Sequence, residues 1–374
     1  MHILLATGIY PPEIGGPATY AACLAEALVK LGHTVTIVTY CGTGNIAVEI
    51  ERLDVVPVSR IGNVFSRWLR FKRALRFHGQ AADAVIAFSS VSTGIPLMLS
   101  GLKKPKKILR LGGDFFWERY TDAGGMKSLR EWYASSFGFW RMMNFTFMTA
   151  ILRSFQHIVY STKFQQLIHE KEYAGLPKSS VIENARPTCA PAGASTLRLL
   201  ASGDRSVGRP HQPFRLLFMG RFVGFKNLPA LIEAVSSIPN VTLTLVGAGP
   251  VEKSLRAHAA ALGIGSRIRF CSPVSAQEKI RVFREHDLLV LPSVTEISPN
   301  TALEAVSEGL PVLLTQETGL KETACIRLRP LRTAAQIAHA IRECIEHYDF
   351  SQDNSEVRTY ATLAQDWVQL LSSL

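Results

Sequence analysis

The sequence predicts an α/β protein with two doubly wound domains, each built on a largely parallel sheet. Short apolar runs alternate with helical patterns in both halves, and this alternation is typical of parallel sheets covered by helices. A stretch rich in proline, glycine, serine and arginine interrupts the alternation at residues 188–213. The chain of 374 residues suits two domains of about 150–200 residues, and 47% hydrophobic residues are enough for two cores.

The first half begins with one strand–helix–strand unit. An apolar strand at residues 2–6 leads through a glycine loop at Gly16 into an amphipathic helix at residues 18–31. Gly32 ends this helix, and a second apolar strand follows at residues 34–39. Further apolar runs predict strands at residues 84–88, 107–111, 158–160 and 181–182.

The second half starts a new series of strands after the interruption. Apolar runs predict these strands at residues 215–219, 241–246, 267–270, 288–291 and 311–314. Helical patterns fall between them, at residues 227–237, 250–262 and 276–286. Ligands of such sheets bind beyond the carboxyl ends of the strands, so a cleft between the two halves is expected to hold one shared ligand.

These patterns define the expected domain boundaries. We predict a Rossmann-like N-terminal domain at residues 1–190, a linker at residues 191–213 and a Rossmann-like C-terminal domain at residues 214–356. The last helical pattern, residues 357–374, is remote from any strand. It is expected to complete the N-terminal domain.

Charge and composition narrow the choice of partners. With 41 Lys and Arg against 30 Asp and Glu, the net charge of +11 favours an anionic partner: nucleic acid, acidic lipid or a phosphorylated substrate. No nucleic-acid module is recognisable, so nucleic acid is not expected. The six cysteines form no C-x-x-C pair, which is typical of reduced thiols in the cytoplasm. The N-terminus reads as a strand, and the apolar run at residues 142–152 is shorter than the roughly 20 residues that span a bilayer.

Residues 295–312 place two carboxylates, Glu296 and Glu304, around the start of a helix. Pro299 and Asn300 supply start signals after an apolar run that reads as a buried strand. Glu296 is therefore expected in a strand-to-helix loop, and Glu304 on the helix. Free N–H groups at a helix start attract phosphate. A phosphate site flanked by two carboxylates suits an anionic, hydroxyl-rich ligand such as a nucleotide sugar.

The loop after the first strand of the second half carries two cations, Arg221 and Lys226. The planar fork of Arg and the mobile charge of Lys together suit a diphosphate. Two solvated surface cations are the alternative interpretation. The nearby Val-Gly-Ala-Gly-Pro turn at Gly247 lacks the third glycine of a dinucleotide motif, so a tight turn is favoured there.

Two positions in the first half stay open between structural and ligand-binding roles. The glycine pair ending at Gly16 either makes a turn or lets a ligand approach the backbone. Asp114 follows a strand and a glycine pair, and either binds a ligand or caps a turn. No H-x-x-x-H, H-x-H or D-x-D array is present, so no metal is expected. The absence of G-x-S-x-G and G-x-x-x-x-G-K-[ST] motifs argues against an α/β-hydrolase or a P-loop enzyme.

Basic and aromatic residues interleave at residues 60–78. The cations of this stretch are Arg67, Arg70, Lys72, Arg73 and Arg76. A helix of this composition can lie on an anionic membrane surface, and a helix packed in the domain core is the alternative. A second aromatic stretch, residues 132–147, is expected to be core.

Together these motifs resemble the retaining glycosyltransferases of family 4, which have the GT-B fold. The resemblance covers nearly the whole chain. It rests on the glycine loop at Gly16, the G-R-x-x-x-x-K run that ends at Lys226, the Gly-x-Gly-Pro turn at Gly247, and Glu296 to Glu304 followed by G-x-P-V.

The resemblance implies which residues bind each part of a nucleotide-sugar donor. The implied positions are Arg221, Lys226 and Gly16 for the diphosphate; Glu304 for the ribose; Glu296 for the sugar; Pro299, Asn300 and Thr301 for sugar or phosphate through the backbone; and Gly247, Pro273 and Val274 beside the base. It also implies sugar transfer with retention, in which cations and N–H groups meet the charge of the leaving group. Neither a cofactor nor a metal is then required.

Two departures from the family pattern concern catalysis. Many members carry a histidine where this chain has Gly112-Gly113-Asp114, so Asp114 is the candidate catalytic group of the first domain, beside Glu296 in the second. The residues Ser-Pro-Asn after Glu296 replace a more common glycine-aromatic-glycine, so the sugar pocket is expected to differ in shape.

The expected activity is transfer of a sugar from a nucleotide sugar to a lipid-linked or polysaccharide acceptor in surface-glycan synthesis, of the lipopolysaccharide kind. The N-terminal domain would bind the acceptor and the C-terminal domain the donor. We expect a cytoplasmic protein, peripheral on the inner face of the membrane. A nucleotide-sugar epimerase, a phosphorylase and a non-catalytic GT-B subunit of a glycan-assembly complex are the alternatives.

Overall fold

Two parallel sheets, one in each of two units, organise the chain. The computed structural model describes residues 1–13, 15–41, 50–135, 138–185, 213–347 and 358–374. The first unit comprises Met1–Phe116, Tyr133–Pro187 and Arg358–Leu374, and the second comprises Trp117–Trp132 and Thr188–Val357. The predicted linker, apart from its last residue, lies outside the described residues.

The sheet of the first unit has seven strands in the described residues. They are β1 (His2–Thr7), β2 (Thr34–Cys41), β3 (Leu53–Ser59), β4 (Ala84–Ala87), β5 (Lys106–Leu111), β6 (His157–Tyr160) and β7 (Ser179–Val181). Their order is β3-β2-β1-β4-β5-β6-β7, and every neighbouring pair is parallel. The order runs outward in both directions from the β1–β4 pair, which is the topological switch point.

The sheet of the second unit repeats this plan with six described strands. They are β8 (Phe214–Met219), β9 (Val241–Val246), β10 (Ile268–Cys271), β11 (Leu288–Leu291), β12 (Val312–Thr315) and β13 (Ile326–Arg329). Their order is β10-β9-β8-β11-β12-β13, again all parallel, so β8 and β11 flank the switch point. The predicted doubly wound α/β class is confirmed.

Helices lie between the strands and bury their apolar faces. They are α1 (Gly16–Lys30), α2 (Val64–Gly79), α3 (Gly94–Met98), α4 (Phe115–Asp122), α5 (Leu129–Ala134), α6 (Phe139–Arg153), α7 (Lys163–Glu172), α8 (Leu228–Ser236), α9 (Glu252–Ala261), α10 (Ala276–Arg284), α11 (Asn300–Ser307), α12 (Ala334–Glu346) and α13 (Tyr360–Ser373). Because helices cover both faces of each sheet, central strands such as β4 and β11 are apolar and buried along their whole length.

The C-terminal helix α13 packs into the core of the first unit. Leu363 and Trp367 are completely buried in the cluster that also contains residues of β1 and α1. The Trp367 indole N–H donates to the Tyr20 hydroxyl at 2.9 Å, so the one polar atom of this large side chain is satisfied. The end of the chain thus belongs to the unit that its beginning forms.

Two edge strands, β3 and β13, were not predicted from the sequence. β3 contains Asp54 and Pro57, and β13 alternates apolar residues with Arg327 and Arg329, so neither shows a continuous apolar run. In the described residues, each pairs with one neighbour. An edge strand tolerates proline and charge because one side of it lacks a strand partner.

Residues 117–132 pack with the second unit, although the sequence placed them inside a first domain of residues 1–190. They comprise the rest of α4 after its first two residues, the turn that follows, and the start of α5. Their buried residues, such as Trp117 and Leu129, face partners from the second half of the chain. No periodicity in the sequence reports which of two sheets such a connection packs against.

Candidate active site

The loops that follow β8 and β11 bring Lys226 and Glu296 together in the second unit. These strands are parallel neighbours, so their carboxyl ends lie side by side. The Lys226 ammonium pairs with the Glu296 carboxylate, and the Ser293 hydroxyl donates to the same carboxylate oxygen at 2.6 Å. Glu296 is 8% exposed, so its charge is largely removed from water and depends on these partners.

Backbone hydrogen bonds hold the Glu296 loop against its neighbours. The Glu296 N–H donates to the Glu317 carbonyl at 2.9 Å. The Val294 N–H donates to the Phe225 carbonyl at 2.8 Å, which joins this loop to the turn that carries Lys226. The Lys226 ammonium lies 4.8 Å from the centre of the Phe225 ring. Both charged side chains therefore stand on backbone that is bonded in place.

Lys226 closes a short 3-10 turn, Gly224–Lys226, that precedes helix α8. The next residue, Asn227, has a positive φ of 55°, a conformation that asparagine tolerates better than most residues. Its side-chain amide donates to the carbonyls of Leu331 at 3.0 Å and Arg332 at 3.1 Å. Arg221 is exposed earlier on the same loop and forms no ion pair within the described ranges. The loop thus offers one paired and one unpaired cation.

Helix α11 begins after the Glu296 loop without a side-chain cap. Pro299 is its N-cap residue, no acidic residue lies in the first turn, and Asn300 and Thr301 are half-buried. A helix start without a cap or a carboxylate leaves its positive end to attract an anion. Glu304, on the same helix, accepts from the Lys279 ammonium of α10 at 3.0 Å. The Glu304 side chain is 12% exposed, and Lys279 is the cation that pairs with it.

The Gly247 turn packs so closely against the Arg221 loop that only glycine fits at two of its positions. The φ of Gly247 is 151°, and a Cβ there would lie 1.9 Å from the Gly220 carbonyl oxygen. A Cβ on Gly249 would lie 2.2 Å from the Phe222 carbonyl oxygen. These glycines are required where two backbones meet, which supports the interpretation of this G-x-G as a tight turn.

Three other predicted positions lie in turns or at a helix start. Gly16 begins α1, which has no side-chain cap and no acidic residue in its first turn. Pro273 is exposed and Val274 is half-buried, just before α10. Their contacts with a diphosphate and a base stay predictions. Nowhere in the described part of the chain do three or more His, Cys, Asp or Glu side chains group in a way that could hold a metal ion.

Asp114 lies in a buried polar cluster of the first unit. The Tyr133 hydroxyl donates to its Oδ2 at 2.6 Å, and His169 Nε2 lies 3.0 Å from the same oxygen. The Tyr173 hydroxyl is 3.1 Å from that of Tyr133. Burial, followed by the charge of Asp114, raises the pKa of Tyr133 well above its usual value, so this phenol stays protonated and donates. Asp114 is 5% exposed, and its role as a catalytic group stays a prediction.

Three contributors to the site were missed by the sequence reasoning. Ser293 lies three residues before Glu296, within hydrogen-bonding distance of its carboxylate. Nothing in the sequence distinguished this serine from one that caps a helix. Lys279 and Glu317 come from other elements. No local pattern links them to the carboxylates that they serve.

Helix α2 has both a buried and an exposed apolar side. Phe71 and Leu75 are fully buried, whereas Phe65 is 75% and Phe77 is 76% exposed. Packing in the domain core therefore accounts for Phe71 and Leu75. It does not account for Phe65 and Phe77, which are exposed on the same helix as the cations. No helix in the described ranges has the length and apolar character needed to cross a membrane.

Both halves of the chain match glycosyltransferase family models. Residues 15–167 match the model described as a glycosyl transferase 4-like domain, and residues 203–353 match the model of glycosyl transferases group 1. With two doubly wound sheets, these matches identify the chain as a glycosyltransferase of the GT-B fold. Its first half is of the family 4-like type, in agreement with the resemblance inferred from the motifs.

Two relatives and two solved structures illustrate the similarity. An uncharacterized glycosyltransferase from Methanocaldococcus jannaschii is 26% identical over 345 residues, which are 86% of this chain and 82% of that protein. The lipopolysaccharide core biosynthesis glycosyltransferase LpsE from Rhizobium meliloti is 34% identical over 125 residues, 33% of this chain and 36% of that protein.

Sucrose-phosphate synthase from Thermosynechococcus elongatus matches the structure with a TM-score of 0.78 and 17% identity, covering 100% of this chain and 98% of that one. HepE from Anabaena in complex with UDP-glucose matches with a TM-score of 0.72 and 17% identity, covering 100% of both chains. At such identities the structural likeness shows the fold alone.

Proposed function

We propose that this glycosyltransferase moves a sugar from a nucleotide-diphosphate sugar to a lipid-linked or polysaccharide acceptor, with retention at the anomeric carbon. The observation that carries the proposal is the contact of Lys226, in the turn after β8, with Glu296 and Ser293, in the loop that leads to the uncapped start of α11. It combines a cation for phosphate, a carboxylate for sugar hydroxyls and the positive end of a helix. These groups suit a donor whose leaving group is a diphosphate.

The diphosphate accumulates negative charge as its bond to the sugar breaks. Arg221 and Lys226 would meet this charge together with N–H groups of α11, so no metal ion is needed. Because Lys226 is paired with Glu296 in the structure, a bound diphosphate competes with Glu296 for the ammonium. HepE, a structural neighbour, is described in complex with UDP-glucose, which supports a nucleotide sugar as the donor class.

The two carboxylates have separate roles in this proposal. Glu304, oriented by Lys279, binds the ribose hydroxyls, and Glu296, oriented by Ser293, binds the hydroxyls of the transferred sugar. Asp114, whose carboxylate accepts from the Tyr133 hydroxyl, stays the candidate catalytic group of the first unit. Retention follows from the resemblance to family 4, and the anomeric configuration of the product tests it.

The similarity to LpsE, a lipopolysaccharide core glycosyltransferase, supports an acceptor of the surface-glycan kind. Helix α2 supports a peripheral position on the cytoplasmic face of the membrane, because Phe65 and Phe77 are exposed among its cations. Sedimentation with anionic vesicles tests this position. A Phe65→Asp, Phe77→Asp variant should lose vesicle binding and keep its thermal stability, whereas equal binding of both proteins would remove α2 from the proposal.

The donor assignment is tested by thermal shift with UDP, GDP and ADP, each with and without EDTA. We expect at least one nucleotide to stabilise the wild type in both buffers. The Arg221→Ala, Lys226→Ala double variant should lose that stabilisation. Stabilisation of the double variant equal to that of the wild type would contradict the diphosphate site. Product analysis then separates transfer, which yields a nucleoside diphosphate and a glycoside, from epimerisation, which yields another nucleotide sugar.

A further inference from the structure

Residues 117–132, here called the strap, contact both loops of the candidate active site. The strap packs with the second unit, whereas the chain on either side of it belongs to the first. Three separate contacts join the strap to the rest of the second unit. Two involve the residues directly before Lys226 and Glu296, and the third involves Arg332, whose carbonyl binds Asn227. None of the motifs that indicated the function includes it.

The first contact fixes the turn that carries Lys226. The Trp117 ring meets the Phe225 ring edge to face, with centroids 5.4 Å apart and planes at 62°. Trp117 is 3% exposed, and its indole N–H donates to the Lys127 carbonyl at 3.0 Å within the strap. Phe225 in turn packs beside the Lys226 ammonium. The strap therefore supplies one wall of the Lys226 turn.

The second contact fixes the loop that carries Glu296. The Leu129 N–H donates to Thr295 Oγ1 at 3.0 Å, and both residues are almost completely buried. Thr295 directly precedes Glu296. Arg130 lies 3.7 Å from the carboxylate of Glu317, whose carbonyl accepts the Glu296 N–H. Movement of the strap would thus displace the backbone of Glu296.

The third contact joins the strap to Arg332, which in turn binds Asn227, the residue after Lys226. The Arg332 guanidinium donates to both carboxylate oxygens of Glu131, at 2.8 and 2.6 Å, and to the Met126 carbonyl at 2.9 Å. The Arg332 carbonyl accepts from the Asn227 side chain at 3.1 Å. This forked pairing has a fixed geometry, so it specifies position as well as adding energy.

We propose that the strap is a positioning element of the donor site, which holds the Lys226 turn and the Glu296 loop at the spacing where their side chains meet. Its residues touch neither donor nor acceptor in this account. They act through Phe225 and Thr295. The effect on catalysis rests on the proposed function, whereas the mechanical coupling between strap and loops does not.

The sharpest perturbation is Thr295→Val, which removes only the oxygen that accepts the Leu129 N–H. Thr295→Ser keeps that oxygen, loses only the methyl group, and serves as the conservative variant. Glu343→Gln is the control, because Glu343 pairs with Arg329 in the same unit and not with a strap residue. We expect Thr295→Val to weaken binding of the nucleotide sugar about tenfold, within the range that one orphaned buried donor gives. Thr295→Ser and Glu343→Gln should bind as the wild type does.

The experiment measures binding of UDP-glucose, GDP-mannose and ADP-glucose by calorimetry, and amide hydrogen exchange of the protein alone. Thr295→Val should accelerate exchange in peptides that contain Leu129 and in those that contain Phe225 and Lys226. A tenfold binding loss with this linked acceleration supports the positioning role. Unchanged binding, or acceleration confined to the Leu129 peptide, overturns it. If the wild type binds none of the three probes, the proposed donor function fails, while the exchange result still decides whether the strap controls the Lys226 turn.

Discussion

The ion pair between Lys226 and Glu296 makes a quantitative prediction about stability. Lys226→Met removes the cation and keeps most of the side-chain volume. The Lys226 and Glu296 side chains are 17% and 10% exposed, so the pair is neither fully buried nor fully exposed. Disruption of a fully buried ion pair costs about 3–5 kcal/mol, whereas an exposed pair contributes up to about 1 kcal/mol. Because the Ser293 hydroxyl still donates to Glu296, we expect the free energy of unfolding to fall by about 2 kcal/mol.

A double-mutant cycle isolates this pair from other effects of the substitutions. Urea unfolding is followed by tryptophan fluorescence for Lys226→Met, Glu296→Gln and the double variant. The coupling energy should be about 1–2 kcal/mol. The matched control is the Glu252–Arg256 pair on α9, with side chains 34% and 54% exposed, where about 0.3–0.5 kcal/mol is expected. A coupling for Lys226–Glu296 no larger than that of the control would refute the claim that this carboxylate depends on its cation.

Three further predictions follow from the same geometry. Gly247→Ala should lower the free energy of unfolding by about 2–4 kcal/mol, because the added Cβ would lie 1.9 Å from a carbonyl oxygen. Gly265→Ala is the control and should be near neutral, because a Cβ there has no atom within 4 Å. Equal urea midpoints for the two variants would disprove the close packing of the Gly247 turn. Desolvation raises the pKa of Glu131, but a backbone hydrogen bond and Arg332 outweigh it and hold the pKa below 4.5. The stabilisation from this carboxylate is therefore present above about pH 4.5 and lost as the pH falls through the lowered pKa. The protection of strap amides, measured relative to their intrinsic exchange rate at each pH, should therefore decrease in acid, and Glu131→Gln should remove that dependence. Glu296→Gln should lower turnover about a hundredfold or more with an unchanged circular dichroism spectrum, and near-normal turnover would exclude Glu296 from the reaction.

The central strands of both sheets could be predicted from sequence because they are buried on two faces. Such strands are continuous apolar runs, as β4 and β11 show. The edge strands β3 and β13 could not be predicted in this way, since strands at an edge carry charge and proline without penalty.

The loop residues of the site were predictable where the topology dictates their position. Lys226 and Glu296 both follow strands at the switch point, so the order of strands alone places them at one edge of the sheet. Ser293 was missed because nothing in the sequence distinguished it from a helix cap, and Lys279 was missed because a side-chain partner from another helix leaves no periodic signal. The strap was missed for the same reason, since its packing depends on Phe225 and Thr295, about 100 or more residues away.

The proposed function requires that a nucleoside diphosphate bind at the edge formed by the Lys226 turn, the Glu296 loop and the start of α11. Amide hydrogen exchange with the nucleoside diphosphate that gives the largest thermal shift tests it most directly. We expect slower exchange in peptides that cover residues 220–227 and 293–304, and no change in the control helix α9. Slower exchange elsewhere, with those two regions unaffected, would contradict it.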